Sequence, residues 1–309
     1  MSLRHENIDN TAEDATESSE YLDSGSSMSD MDFGGLFSNR FANINLIYRS
    51  PAGPAELYSA TRYGKRFILK ALKAEFRDDP VCNLALSKEF EIGISLDHPN
   101  IRRTLSLEIV DDLGKVIVME YIDGVSLDTF IASGDVTIAD ARDISRQMAD
   151  ALAYIHARQV FHRDIKPSNI MISHRRNIVK IIDFSLSDSD EFIVLKNPAG
   201  SRKYIAPEQL HREAKPSVAA DIYSLGVVIS ELADAAGDNL LAETASICTS
   251  ANPSKRPASA KGISIPAPGT TFSQTVSNIL SSKALTYILA CICALLAAAV
   301  IYLFITRTI

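Results

Sequence analysis

The chain has 309 residues, 46% of them hydrophobic, enough at roughly 100–200 residues per domain for a two-lobed globular body with short appendages. Its formal charge of −7 resides in the first 40 residues, where nine carboxylates face only Arg4 and Arg40, so the remainder is close to neutral. A neutral body with an acidic tail offers no basic surface for nucleic acid, and the four cysteines, Cys82, Cys248, Cys291 and Cys293, form no CxxC pair for zinc or dithiol chemistry and read as free thiols in a reducing compartment.

Residues 1–40 are rich in Ser, Asp and Glu and cannot bury enough apolar surface to offset ordering entropy, so they read as a disordered tail. Within it Ser18, Ser19, Ser24, Ser26, Ser27 and Ser29 are either phosphate acceptors or part of a solubilising segment. No apolar run follows Met1, and no signal peptide is expected. From Phe41 to Ile122 the pattern is short strands with one helix. Arg66–Leu72 alternates as a strand, with Phe67, Leu69 and Ala71 on one face and Ile68, Lys70 and Leu72 on the other. Leu84–Leu96 reads as a helix and Val116–Ile122 as an apolar strand. Beyond Gly124 the chain turns helical. Thr137 with Asp140 resembles a capping box, and Ile138, Ala141, Ile144, Met148, Ala151, Leu152 and Ile155 trace one helical stripe. Ile178–Ile182 is a further apolar strand. A strand-rich part followed by a helix-rich part predicts an α+β chain with an N-lobe over 41–122 and a C-lobe over 123–263. Residues 264–283 have the Pro, Gly, Ser and Thr content of a linker. Ala284–Ile305 then runs 22 residues without a charge. At ~1.5 Å per residue it reaches about 33 Å, against a hydrocarbon core of about 30 Å. Lys283 and Arg307 flank it and can rest at the two interfaces, which predicts a transmembrane helix.

The residues that carry chemistry lie in the middle of the chain. His162-Arg163-Asp164-Ile165-Lys166-Pro167-Ser168-Asn169 matches the catalytic-loop pattern H-R-D-x-x-x-x-N. Asp183-Phe184-Ser185 follows an apolar strand 14 residues after Asn169, where D-F-G is expected. Ala206-Pro207-Glu208 matches A-P-E, and Phe67-Ile68-Leu69-Lys70 matches V-A-I-K. Glu89 stands nine residues before His98-Pro99-Asn100-Ile101. With these motifs in order over residues ~44–262, the chain resembles the Hanks-type protein serine/threonine kinases.

The resemblance implies a two-lobed kinase fold, ATP and Mg²⁺ as cofactors, and protein substrates. Asp164 would be the catalytic base and Lys166 would sit near the γ-phosphate. A lysine at that place accompanies Ser/Thr specificity in the family. Asn169 and Asp183 would hold metal, and Lys70 paired with Glu89 would position the α- and β-phosphates. Glu91 competes with Glu89, but two residues along a helix point it elsewhere. Met119-Glu120-Tyr121-Ile122 looks like a gatekeeper and hinge. Glu120 and Ile122 would meet adenine through their backbone, Leu57 and Ile68 would lie above it, and Met171 would floor the pocket. Phe184 completes the D-F-S triplet. Ser201 would hydrogen-bond Asp164 and Lys166 rather than accept phosphate. Asp221 would brace the catalytic loop, and Arg256 would pair with Glu208. Arg163 would meet a phosphate on Ser187 or Ser189, or the fixed charges of Asp188, Asp190 and Glu191 in its place.

Three departures accompany the resemblance. The Gly-rich loop maps to Ser50–Leu57, with no glycine at an expected place and two stiffening prolines. Ile68 stands where an alanine roofs adenine and narrows the pocket. The stretch Leu232–Ile247 is short, so the helix that docks protein substrates is expected to be trimmed. An alternative is therefore a pseudokinase scaffold on a membrane, and a third reading is a small-molecule kinase of related fold. The expected placement is a membrane, with the kinase domain facing the cytoplasm, only Thr306–Ile309 beyond the bilayer, and self-association through the membrane helix as a further possibility.

Overall fold

The computed structural model describes residues 40–51, 53–174, 178–184, 199–210 and 215–267. The tail before residue 40, Ser185, Ser187, Ser189 with its neighbouring acids, the linker from 268 and the apolar run 284–305 lie outside the described residues. Among the described residues no helix is long and apolar enough to cross a membrane.

Five antiparallel strands form the N-lobe sheet in the order β1-β2-β3-β5-β4. They are β1 (Ala42–Arg49), β2 (Ala55–Arg62), β3 (Lys65–Leu72), β4 (Thr104–Val110) and β5 (Gly114–Glu120). The alternation in β3 sorts its side chains as the period of two requires. Leu69 and Ala71 pack with Val116 and Val118 on one face, while Ile68 and Leu72 pack with Ile117 and Met119 on the other. The second face receives α1 (Pro80–Ser95) through Cys82 and Leu86. This helix begins four residues before the expected Leu84. Asp79 caps it by accepting hydrogen bonds from the Val81 and Cys82 N–H groups, and Pro80 occupies the first turn, where its missing N–H is no loss. β5 in turn ends at Glu120, so Tyr121 and Ile122 belong to the connector rather than the strand.

The connector from the N-lobe is three residues long, 121–123, before β6 (Gly124–Ser126) pairs with β7 (Ile170–Ser173), which pairs with β8 (Val179–Ile181). Gly124 has no alternative: a Cβ there would lie 2.1 Å from the Ile172 carbonyl oxygen. Arg66 of β3 clasps the connector, donating to the Tyr121 hydroxyl at 2.9 Å and stacking 4.0 Å above its ring. The C-lobe core lies between α2 (Leu127–Ala132), α3 (Ile138–His156), α4 (Val218–Ala236), α5 (Asn239–Cys248) and the β7–β8 hairpin. The Thr137 capping box opens α3. The predicted stripe of α3 is buried except Ile138, which is 44% exposed in the first turn. Gly237, left-handed at φ 66°, ends α4, and Asp238 caps α5, so these two residues alone join the helices. Ser264 and Ala267, placed in the linker by composition, are docked on the C-lobe, where their carbonyls accept from Thr244 Oγ1 (2.9 Å) and Arg142 Nη1 (2.7 Å).

Candidate active site

Strand β3 delivers Lys70 into the space between the lobes, where it is 5% exposed. Its Nζ donates to Glu89 Oε1 of α1 at 2.6 Å and to Asp183 Oδ1 at 2.9 Å. Burial pulls the lysine pKa down, but the charges of Asp183 and Glu89 and their hydrogen bonds outweigh it, and the pKa is raised. Glu91, the competing carboxylate, is exposed.

The loop between α3 and β7 is held from behind by Asp221 in the first turn of α4. Its carboxylate accepts from the His162 N–H at 2.9 Å, the Arg163 N–H at 2.8 Å and His156 Nε2 at 2.9 Å. Asp221 is thereby a buried acceptor with three donors, which makes this anchor stiff. Arg163 adopts a left-handed φ of 65°, a conformation that costs a non-glycine residue about 1–3 kcal/mol and persists only where its neighbours enforce it. The turn that follows presents Asp164. Lys166 Nζ donates to Asp164 Oδ2 at 2.7 Å, and Asn169 Nδ2 donates to the same oxygen and to the Asp164 carbonyl, both at 2.9 Å. The Ile182 N–H donates to the Asn169 carbonyl at 2.9 Å, tying this loop to the segment after β8 that carries Asp183. Asp183 is left-handed at φ 67°. The His162 and Phe184 rings meet at a tilt of 57° with centroids 4.9 Å apart, and Phe184 is buried.

Beside this polar end lies a cleft of about 370 Å³ whose walls include Leu57, Ile68, Glu120, Ile122 and Met171. The chain entering β2, where the sequence departs from a glycine-rich loop, is held by two hydrogen bonds. Ser50 N–H donates to the Ala55 carbonyl at 3.1 Å, and Gly53 N–H donates to Ser50 Oγ at 2.9 Å. At the far side of the C-lobe Arg256 forks onto Glu208 at 2.6 and 2.8 Å. Burial alone would raise the Glu208 pKa; the Arg256 hydrogen bonds prevail and lower it. Ser201 lies in the 3-10 turn Ala199–Tyr204, and its side chain is outside the description.

Two features of the site escaped the sequence reading. Lys180 of β8 donates to the Glu120 carboxylate at 3.0 Å, and Arg102 lines the cleft from its inner wall. Lys180 lies on an alternating strand and is recoverable from its period; Arg102 follows a motif residue and carries no local signal.

The family described as protein kinase domain matches residues 53–293. The serine/threonine-protein kinase PrkC of Bacillus subtilis is 34% identical over 205 residues, covering 64% of this chain and 31% of that protein. The serine/threonine-protein kinase PknB of Mycolicibacterium smegmatis is 33% identical over 191 residues, covering 58% and 30%. The chain thus spans about a third of the length of these curated relatives. The crystal structure of Rad53 1–466 in complex with AMP-PNP superposes with a TM-score of 0.56 at 25% identity, over 72% of this chain and 64% of that one. The Mycobacterium tuberculosis PknI kinase domain shares the fold, with a TM-score of 0.55 at 22% identity over 72% and 93% of the two chains. On the family match, the two lobes and the ordered motifs between them, this chain belongs to the protein kinase domain family.

Proposed function

We propose that the chain transfers the γ-phosphate of ATP to serine and threonine hydroxyls of proteins. The observation that carries this is the convergence at Asp164, whose Oδ2 is held by Lys166 and Asn169 while the Lys70–Glu89–Asp183 chain stands intact in the same cleft. With Oδ2 so held, Oδ1 is left to accept the proton of an incoming hydroxyl. The Lys166 ammonium offsets negative charge where the hydroxyl oxygen attacks phosphorus. Lys70, kept protonated by its two carboxylates, fixes the α- and β-phosphates. The Asn169 amide nitrogen is committed to Asp164, which leaves its Oδ1 to serve as an oxygen donor. With the Asp183 carboxylate it forms a hard-oxygen pair suited to Mg²⁺, which when bound would neutralise phosphate charge. Asp164→Asn should lower transfer by about 10²–10⁴-fold, the share of a positioned base, with the fold unchanged by circular dichroism. Undiminished turnover in that variant would overturn the assignment.

The names of the curated relatives favour catalysis over a pseudokinase scaffold, as does the hydrogen-bonded order of the site. The two-residue joint between α4 and α5 supports a trimmed C-lobe, so protein substrates would dock elsewhere than on the helix common in the family. The uncharged run Ala284–Ile305 supports a membrane tether with the catalytic domain on the cytoplasmic side, where ATP is, and offers a surface for self-association. Deleting residues 283–309 should move the protein from the membrane pellet to the supernatant. Full-length protein released by high salt alone would contradict a spanning helix.

A further inference from the structure

The helix that braces the catalytic loop also holds the segment beside it. Asp221 in the first turn of α4 accepts from the His162 and Arg163 N–H groups, and one turn further Ser224 donates its hydroxyl to the Tyr204 carbonyl at 2.7 Å. Tyr204 in turn donates to Glu231 Oε1 at 2.9 Å, so the turn Ala199–Tyr204 is fastened to the same helix as the loop that presents Asp164. Farther on, Gln209 Nε2 donates to the Lys215 carbonyl at 2.9 Å and ties Lys215 to this segment.

The charges of this face do not cancel. Asp164 is taken by Lys166, Glu208 by Arg256 and Glu231 by Lys203. Arg202 and Lys215 are exposed, and no carboxylate among the described residues pairs with either. Two cations therefore stand over beside the site, on a body that is close to neutral as a whole. Exposed cations around a peptide-accepting site favour acids next to the reacting hydroxyl.

The sequence contains such a peptide. Residues 17–32 hold six serines and five carboxylates, Glu17, Glu20, Asp23, Asp30 and Asp32, with no cation. Ser18 to Ser29 stand 23 to 12 residues before Phe41, the residue that leads into β1. At up to ~3.3 Å per residue that is roughly 40 to 75 Å of chain, against a radius of gyration of about 17 Å for a body of this size. These serines are thus within reach of the site of their own molecule, at the roughly millimolar effective concentration of a short tether. We propose, resting on the kinase reading above, that the site selects serines flanked by carboxylates and that Ser18–Ser29 of its own chain are its substrate. In each transfer the serine oxygen bonds the γ-phosphorus, and the bond from that phosphorus to the β,γ-bridging oxygen breaks. ADP departs, and Asp164 takes the hydroxyl proton.

The full chain, stripped of phosphate and then given Mg²⁺ and ATP, tests this by mass spectrometry, with phosphate expected on serines from Ser18 to Ser29. A peptide copying residues 17–34 should be used with a higher kcat/KM than a copy carrying Gln or Asn at its five acidic positions. A copy carrying Lys there should be the poorest. Arg202→Gln/Lys215→Gln should narrow the ratio of acidic to neutral copy by about 2- to 30-fold, the range of two exposed ion pairs. Added salt should narrow it in the parent as well. Arg202→Glu/Lys215→Glu should turn the preference toward the lysine copy, a result that misfolding does not give. A parent that uses the neutral copy as well as the acidic one overturns the proposal and leaves the kinase reading standing. So does a ratio that neither double variant moves, or phosphate found only outside Ser18–Ser29. No transfer to the chain or to any copy defeats both.

Discussion

Arg142 in the C-lobe and Arg102 in the cleft are both buried arginines, 2% and 9% exposed, yet their surroundings differ in kind. Arg142 forks onto Asp238 at 2.6 and 2.9 Å and donates to the Ala267 carbonyl, joining α3, the α4–α5 joint and the chain that follows the C-lobe. Arg102 has three carboxylates in its electrostatic neighbourhood and a bond to none of them. The first charge is satisfied by the fold and serves the fold. The second makes no side-chain hydrogen bond among the described residues and borders the cleft. Burial of a charge alone therefore says little about its purpose, and the state of its partners says more.

The largest test of this contrast is Asp238→Ala. It orphans the Arg142 guanidinium, at about 3–5 kcal/mol, and removes the cap that accepts from the Leu240 and Leu241 N–H groups, at about 1 kcal/mol more. Equilibrium urea unfolding should register the loss as a lower midpoint at unchanged slope. Arg102→Met probes the other side. Without nucleotide it should be neutral or stabilising by about 1 kcal/mol or more, since an unpaired buried charge is replaced by an apolar side chain. A loss as large as that from Asp238→Ala would erase the distinction. The smallest effect is on pH dependence. Burial would raise the Asp238 pKa, but hydrogen bonds from Arg142 and from the Leu241 and Leu240 N–H groups hold it below its ordinary 3.8, and Glu208 is held below 4.5 by Arg256. Their stabilisation is fully present above those ordinary values and is lost as pH falls through the lower folded ones. Acid unfolding curves should show this limb in the parent and in Arg102→Met alike, and weakened in Asp238→Asn.

Much of the frame was legible because it is written in local periods. The two faces of β3 sort as their alternation requires, and the Thr137–Asp140 box begins α3 where its spacing puts it. The Lys70–Glu89 contact could be anticipated from motif spacing, and the contact is present at 2.6 Å. The start of α1 was misplaced although Asp79-Pro80 is a readable start signal, because the apolar pattern takes hold only at Leu84. The buried arginines were invisible for a different reason. Arg142 directly follows Ala141 of the apolar stripe and, as a charged residue, reads as solvent-facing. Its partner Asp238 is 96 positions away, so only tertiary structure reveals that it is inside. Arg102 is buried by its pairing with β8, which no window around it can show.

The backbone contact at Gly124 bears on how the two lobes can turn against each other. Because β6 touches β7 so closely that no side chain fits between them, the connector is fused to the lower lobe from residue 124 onward. On the other side, β5 holds the chain to the upper sheet as far as Glu120. The covalent link between the lobes narrows to 121–123, where Tyr121 and Asp123 are gripped by Arg66 at 2.9 and 3.6 Å, while Ile101 and Arg102 pin the upper lobe to β8 a second time. The axis of any swing between the lobes passes beside the Glu120–Ile122 side of the cleft, so the lobes sweep their widest arc at the end that carries Lys70 and Asp183.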